Sequence, residues 1–131
     1  RHTRCSRDWS SDVCSSDLVT QSNRDVSYDK LLAKLSYYSD RYTHYRYISD
    51  DAAKFFNDES MDFVFIDGLH TYEQVTKDME NYYPKVKKGG LFCGHDFNVI
   101  PDVNRAVQEF ASKLGLKEIH ITDQDVWYWY K

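Results

Sequence analysis

Two acids and two histidines stand where apolar runs end. The run Phe63–Ile66 leads into Asp67, Gly68 and His70, and the run that starts at Leu91 leads through Gly94 into His95 and Asp96. Carboxylates at neighbouring strand ends are what a hard divalent cation such as Mg2+ needs. A metal held there lowers the pKa of a bound hydroxyl and makes it nucleophilic near neutral pH. His70, one short turn after Asp67, is placed to take the proton that leaves. Asp67, Asp96 and His95 are therefore the candidate metal ligands and His70 the candidate base, with His95 serving as third ligand, as a hydrogen-bonding orienter or as a plain loop residue. A plainer role fits the same spacing: Asp67 and Asp96 capping the loops that follow, and His70 packing at a helix start. Spacing alone leaves both open.

Strands and helices must bring these residues together, and the hydrophobic period alternates along the chain. Ser27 is expected to cap a helix bearing Leu31, Leu32, Leu35 and Tyr38, followed by a strand over residues 44–48, a short helix over 51–56 and a strand over 62–66. The last is apolar without a break, as strands covered on both faces are. Thr71 with Gln74 forms a capping box ahead of Val75, Met79 and Tyr82, and Lys87–Gly90 reads as a break before the strand that ends in His95 and Asp96. Asp102 is expected to cap a helix closed by Gly115, and strands over 117–121 and 126–131 flank the turn Thr122–Asp125. The fold class is then α/β, with a mainly parallel sheet and a C-terminal antiparallel strand pair. Ligands of such sheets collect beyond the carboxyl ends of the strands, so Ser49 with Asp50, Asp67 with His70, and His95 with Asp96 should face one crevice. His44 and His120 alternate within strands and read as ordinary sheet residues. Lys85, Lys87 and Lys88 read as a solvated helix end.

The chain has 131 residues, is 41% hydrophobic and carries a formal net charge of -4, which suits one modest domain. No apolar run is long enough to span a bilayer, and no Lys/Arg block suggests nucleic acid as a partner. Residues 1–18, "RHTRCSRDWSSDVCSSDL", resemble a translated sequencing-library adapter, with "RHTR" fitting the flanking primer in the same frame. They are expected to be an artefact and disordered, leaving residues 19–131 as a partial domain whose gene is cut at its 5' end. Cys5 and Cys14 fall in that segment, so only Cys93 remains, a small buried hydrophobe by position. Nothing argues for disulfides, and a reducing cytoplasmic setting is expected.

The stretch Asp62–Phe97, "DFVFIDGLHTYEQVTKDMENYYPKVKKGGLFCGHDF", resembles the core of the class I S-adenosylmethionine-dependent methyltransferases. Within them it is most similar to the branch that includes macrocin O-methyltransferase and the cephalosporin-hydroxylase-like proteins. The pattern is carried by Ile66, Asp67, Gly68, His70 and Tyr72, then Asp78 and Tyr83, then Pro84, Lys87, Gly89 and Gly90, then His95, Asp96 and Phe97. The resemblance extends over about Asp50–Lys131. It implies a Rossmann-like methyltransferase fold lacking its first two strands, the first of which belongs beside the strand at 62–66. It also implies S-adenosylmethionine as donor, bound by Ser49, Asp50, Asp67 and Gly68, and a small-molecule acceptor, usually the hydroxyl of a sugar. His70 is then the base, with Mg2+ on Asp67, Asp96 and His95 in metal-assisted members. Two departures stand out: His95 replaces a second acid, and the glycine-rich donor loop is missing, since the first glycine is Gly68. The 131-residue chain is therefore expected to be inactive by itself. Two other readings are a metal-dependent hydrolase using Asp67, His70, His95 and Asp96, and a non-catalytic Rossmann-like module of a larger biosynthetic protein.

Overall fold

A computed structural model describes residues 21–131, apart from the side chains of residues 21–25 and 27. The adapter-like segment 1–18 lies outside the described residues. The element order is α1 (Gln21–Leu35), α2 (Ser49–Ala52), β1 (Met61–Ile66), α3 (Tyr72–Tyr82), β2 (Val86–Gly94), α4 (Pro101–Lys113), β3 (His120–Ile121) and β4 (Trp127–Tyr130), with short 3-10 turns after α1, α2 and α3. The strands form one sheet in the order β1-β2-β4-β3. β1 and β2 are parallel, and the β2–β4 and β3–β4 pairs are antiparallel. This is the expected α/β fold, and the sheet is mixed: among the described residues one strand pair is parallel and two are antiparallel, because β4 joins β2 in the antiparallel sense.

Register explains which face is dry. Val64, Phe92 and Trp129 lie opposite one another across three strands, so their side chains share a face. That face meets Val75, Met79 and Tyr82 of α3 and Val103, Ala106, Val107 and Phe110 of α4 in one apolar cluster. The spacing of these residues puts them on one stripe of each helix. Trp127, Phe92, Met79, Val86 and Val107 are fully buried, each stabilising the fold by about 1.5–3 kcal/mol through burial. Phe63, Leu91 and Tyr130 share the opposite face, as do Phe65, Cys93 and Tyr128. There Phe63 is 45% exposed, Phe65 39% and Tyr130 64%. β1 thus keeps one open face, against the expectation that an uninterrupted apolar strand is covered on both.

Other elements differ from the sequence expectation for local reasons. Residues 44–48 form no strand, because a strand needs a neighbour's backbone edge. Tyr45 and Tyr47 pack their rings on Phe55, and Tyr45 also on Phe56, instead. Ser27 lies inside α1 and not at its start. The stretch Asp51–Phe56 is shared between the end of α2 and a 3-10 turn. Pro101 takes the first turn of α4, with Ile100 in the cap position, so Asp102 lies inside the helix. At the other end the expectation holds: Gly115 has φ +71°, its N–H donates to Ser112 O, and Leu116 N–H donates to Ala111 O, a Schellman closure.

The Lys87–Gly90 break is a bulge within β2. Met61 pairs with Val86 but Phe63 with Leu91, so β2 has extra residues there. Gly89 takes φ +76°, and a β-carbon on Gly90 would lie 2.8 Å from Val86 Cγ1. The strand expected over 117–121 pairs only at His120 and Ile121. Of the Lys85–Lys88 run, Lys85 pairs with Asp58 and Lys87 with Asp62, each at 2.7 Å. The cation that meets the carbonyls after α3 is Lys131, whose Nζ donates to Tyr83, Pro84 and Val86 oxygens.

Candidate active site

β1 and β2 run side by side, so the residues that follow them emerge together. The His95 N–H donates to Ile66 O, extending the β1–β2 ladder to the point where both strands release their loops. Asp67 and His70 therefore meet His95 and Asp96. His70 Nε2 is 2.9 Å from Asp96 Oδ2 and 3.6 Å from Asp67 Oδ1, and His95 Nδ1 is 2.9 Å from Asp96 Oδ1. The His70–Asp96 approach is a close contact without hydrogen-bond alignment, since His70 Nε2 is buried with no aligned partner. The side chains of Asp67 and His70 are 30% exposed and that of Asp96 18%, so the group is shielded yet reachable.

Asp96 sits at φ +63°, a left-handed conformation that costs a residue with a β-carbon about 1–2 kcal/mol. The bonds around it hold that conformation. Ile100 N–H donates to Asp96 O and Asn104 Nδ2 donates to Phe97 O. Asp125, in the β3–β4 turn, accepts from the backbone N–H groups of Asn98 and Val99 and from Asn98 Nδ2. The Asp96 carboxylate consequently stands between two imidazoles.

Asp67, His95 and Asp96 each offer a ligand atom, all within 4.8 Å of one another. Two carboxylate oxygens and an imidazole nitrogen fit a small divalent cation in kind. In the geometry present, both Asp96 oxygens already face an imidazole. Ion binding and imidazole orientation thus draw on the same oxygens.

Ser49 and Asp50 open α2, and α3 holds them. Ser49 Oγ donates to Asp78 Oδ1 at 2.6 Å, and Gln74 Nε2 donates to Ser49 Oγ, Asp50 Oδ1 and Asp78 Oδ1. Asn81 Nδ2 donates to Asp50 Oδ1, and the Tyr82 hydroxyl to Ser49 O. Asp78 is 4% exposed. The Thr71 hydroxyl accepts from Gln74 N–H as a cap should, but the Gln74 side chain points into this network and does not return to Thr71. Gly68 joins the two groups: a β-carbon there would stand 3.3 Å from Asp78 Oδ2. Its glycine serves closeness, because its φ lies outside the left-handed region.

Sequence reasoning placed Asp67, His70, His95 and Asp96 correctly as one group. It gave no site role to Asp78, named only in the family pattern, to Gln74, read as the partner in a capping box, to Asn81, or to Asp125, read as part of a turn. His44 packs against Tyr28, and burial, then the charge of Arg46, lowers its pKa. His120 lies in β3 against Tyr128. Cys93 is buried, its thiol donates to Val64 O, and burial pushes its pKa up to about 12, so it is no nucleophile at neutral pH.

The chain can be compared with known proteins on this geometry. Residues 4–97 match a family described as a methyltransferase domain, a match that begins inside the adapter-like segment. No curated protein matches the sequence significantly. Among solved structures, the O-methyltransferase NovP is 21% identical with a TM-score of 0.68, over 98% of this chain and 56% of its own. A protein from Corynebacterium glutamicum is 12% identical with a TM-score of 0.57, over 85% of this chain and 57% of its own. Spermidine synthase from Thermotoga maritima is 16% identical with a TM-score of 0.50, over 84% and 40%. At these identities the likeness is one of fold, and the chain spans little more than half the length of the first two. The family match covers well over half of the chain, which therefore belongs to the methyltransferase-domain family and has the α/β fold of the class I enzymes.

Proposed function

We propose that the protein carrying this chain transfers a methyl group from S-adenosylmethionine to a hydroxyl of a sugar or another small molecule, with His70 as general base. The observation that supports this reading most is the placement of His70 Nε2 between Asp96 and Asp67 at the carboxyl edge of the parallel pair. The two carboxylates orient the imidazole through its Nε2 side. The acceptor oxygen attacks the methyl carbon as the carbon–sulfur bond breaks. The bonding pair stays on sulfur, leaving S-adenosylhomocysteine, and the hydroxyl proton goes to His70. Alignment of the two reactants supplies most of the remaining acceleration. Ser49, Asp50, Asp67 and Gly68, around the end of β1, form the donor side.

Asp67, Asp96 and His95 would hold Mg2+ if the enzyme is metal-assisted, where it would polarise the acceptor hydroxyl. The same cluster is what a metal-dependent hydrolase would use, but family membership favours methyl transfer. Among the described residues no helix is long and apolar enough to cross a membrane. With the full-length protein and a hydroxylated acceptor found by screening, His70→Ala is expected to lower methyl transfer about 100-fold or more. Donor affinity by calorimetry should stay within twofold. An equal loss of donor affinity would make His70 structural and overturn its role as base.

A further inference from the structure

Asp78 is a buried carboxylate to which the proposed reaction assigns no step. It sits on α3, yet its neighbours belong to two other segments. Oδ1 accepts from the Ser49 hydroxyl at 2.6 Å and from Gln74 Nε2 at 3.0 Å. Oδ2 faces Gly68, with room for no more than a hydrogen on that α-carbon without tight contact. Ser49 opens α2, and Gly68 directly follows Asp67 in the loop after β1. These segments flank the carboxyl end of β1, where ligands of parallel sheets bind. We propose that Asp78 is a positioning residue that sets the gap between α2 and the β1–α3 loop, and with it the fit of S-adenosylmethionine.

This role for Asp78 rests on the reading of the protein as a methyltransferase and adds a residue to it. Burying a carboxylate is costly unless its oxygens are well partnered, and an apolar residue of similar size would tie α3 to α2 at lower cost. A carboxylate fixes direction as well as contact. Its Oδ1 holds Ser49 and Gln74, Gln74 passes the constraint to Asp50, and Asn81 holds Asp50 from the next turn. The opposite oxygen limits how far Gly68 can approach. One side chain thus spaces both walls of the crevice.

The test uses the full-length protein and S-adenosylmethionine itself, with dissociation constants from calorimetry and melting temperatures beside them. Asp78→Ala is expected to weaken donor binding tenfold or more. Asp78→Asn, which keeps an acceptor oxygen for Ser49 and Gln74, should recover most of that loss. Ser49→Ala should weaken binding in the same direction, and the double variant should lose less than the sum of the two. A merely structural role would lower the melting temperature and leave the affinity of the folded protein alone. A folded Asp78→Ala protein that binds the donor within twofold of the parent overturns the inference while the methyltransferase reading stands. If Asp78→Ala does not fold, Asp78→Ser, which keeps a polar group but withdraws the reach to Gly68, decides by the same twofold limit. A parent protein that binds no donor overturns both.

Discussion

Gly94 shows how tightly single residues are constrained where the sheet hands over to the site. A β-carbon there would stand 2.5 Å from Ile66 O and 2.7 Å from Trp127 Cε2, one a backbone atom and the other part of a fully buried ring. Neither can move without opening the β1–β2 ladder or the Trp127 packing against Phe92 and Trp129. Gly94→Ala is therefore expected to cost about 3 kcal/mol, read as a fall in the urea midpoint of unfolding with little change in slope. Loss of less than about 0.5 kcal/mol would mean that this junction is looser than it looks. The residues with chemistry were legible for a reason of the same kind: Asp67, His70, His95 and Asp96 each follow an apolar strand, and parallel neighbours release their ends together. Asp78 was not, because a carboxylate seven residues into a polar helix looks solvated until the start of α2 is seen to cover it.

At the scale of elements, two readings from local chemistry survive, and one that needed a strand partner does not. The helix bounded by Thr71 and the closure at Gly115 follow from capping and left-handed geometry, both written in adjacent residues. The strand expected at 44–48 has the right composition and no edge to pair with. Asp125 is the opposite case: a turn residue whose role lies across the sheet. It takes φ +60° itself and accepts the N–H groups of Asn98 and Val99, which begin the connection from Asp96 to α4. Removing a carboxylate that accepts backbone hydrogen bonds costs about 1.5–3 kcal/mol. Asp125→Ala is expected to lose roughly that much and to speed hydrogen exchange at the Asn98 and Val99 amides, more than at amides in the middle of α4. Asp125→Asn, whose side chain tolerates the left-handed region and keeps one acceptor, should lose less. Unchanged exchange at residues 98 and 99 would show that α4 and Asp96 hold the connection by themselves.

At the scale of the whole molecule, the sheet is finished on one side only. α3 and α4 cover the face that carries Phe92, Trp127 and Trp129, whereas the face of Phe63, Phe65 and Tyr130 is largely bare, and β1 has no strand on its outer edge among the described residues. An open apolar edge is a template for further strands. The fold is shared with NovP, of which the chain spans 56%. The donor site proposed above has walls from α2 and the β1–α3 loop, next to that open edge. The 131-residue chain is thus expected to melt over a broad transition at low denaturant, to bind an apolar dye such as anilinonaphthalene sulfonate, and to give no measurable heat with S-adenosylmethionine. Tight donor binding by this chain would show that the segments around β1 complete the crevice unaided.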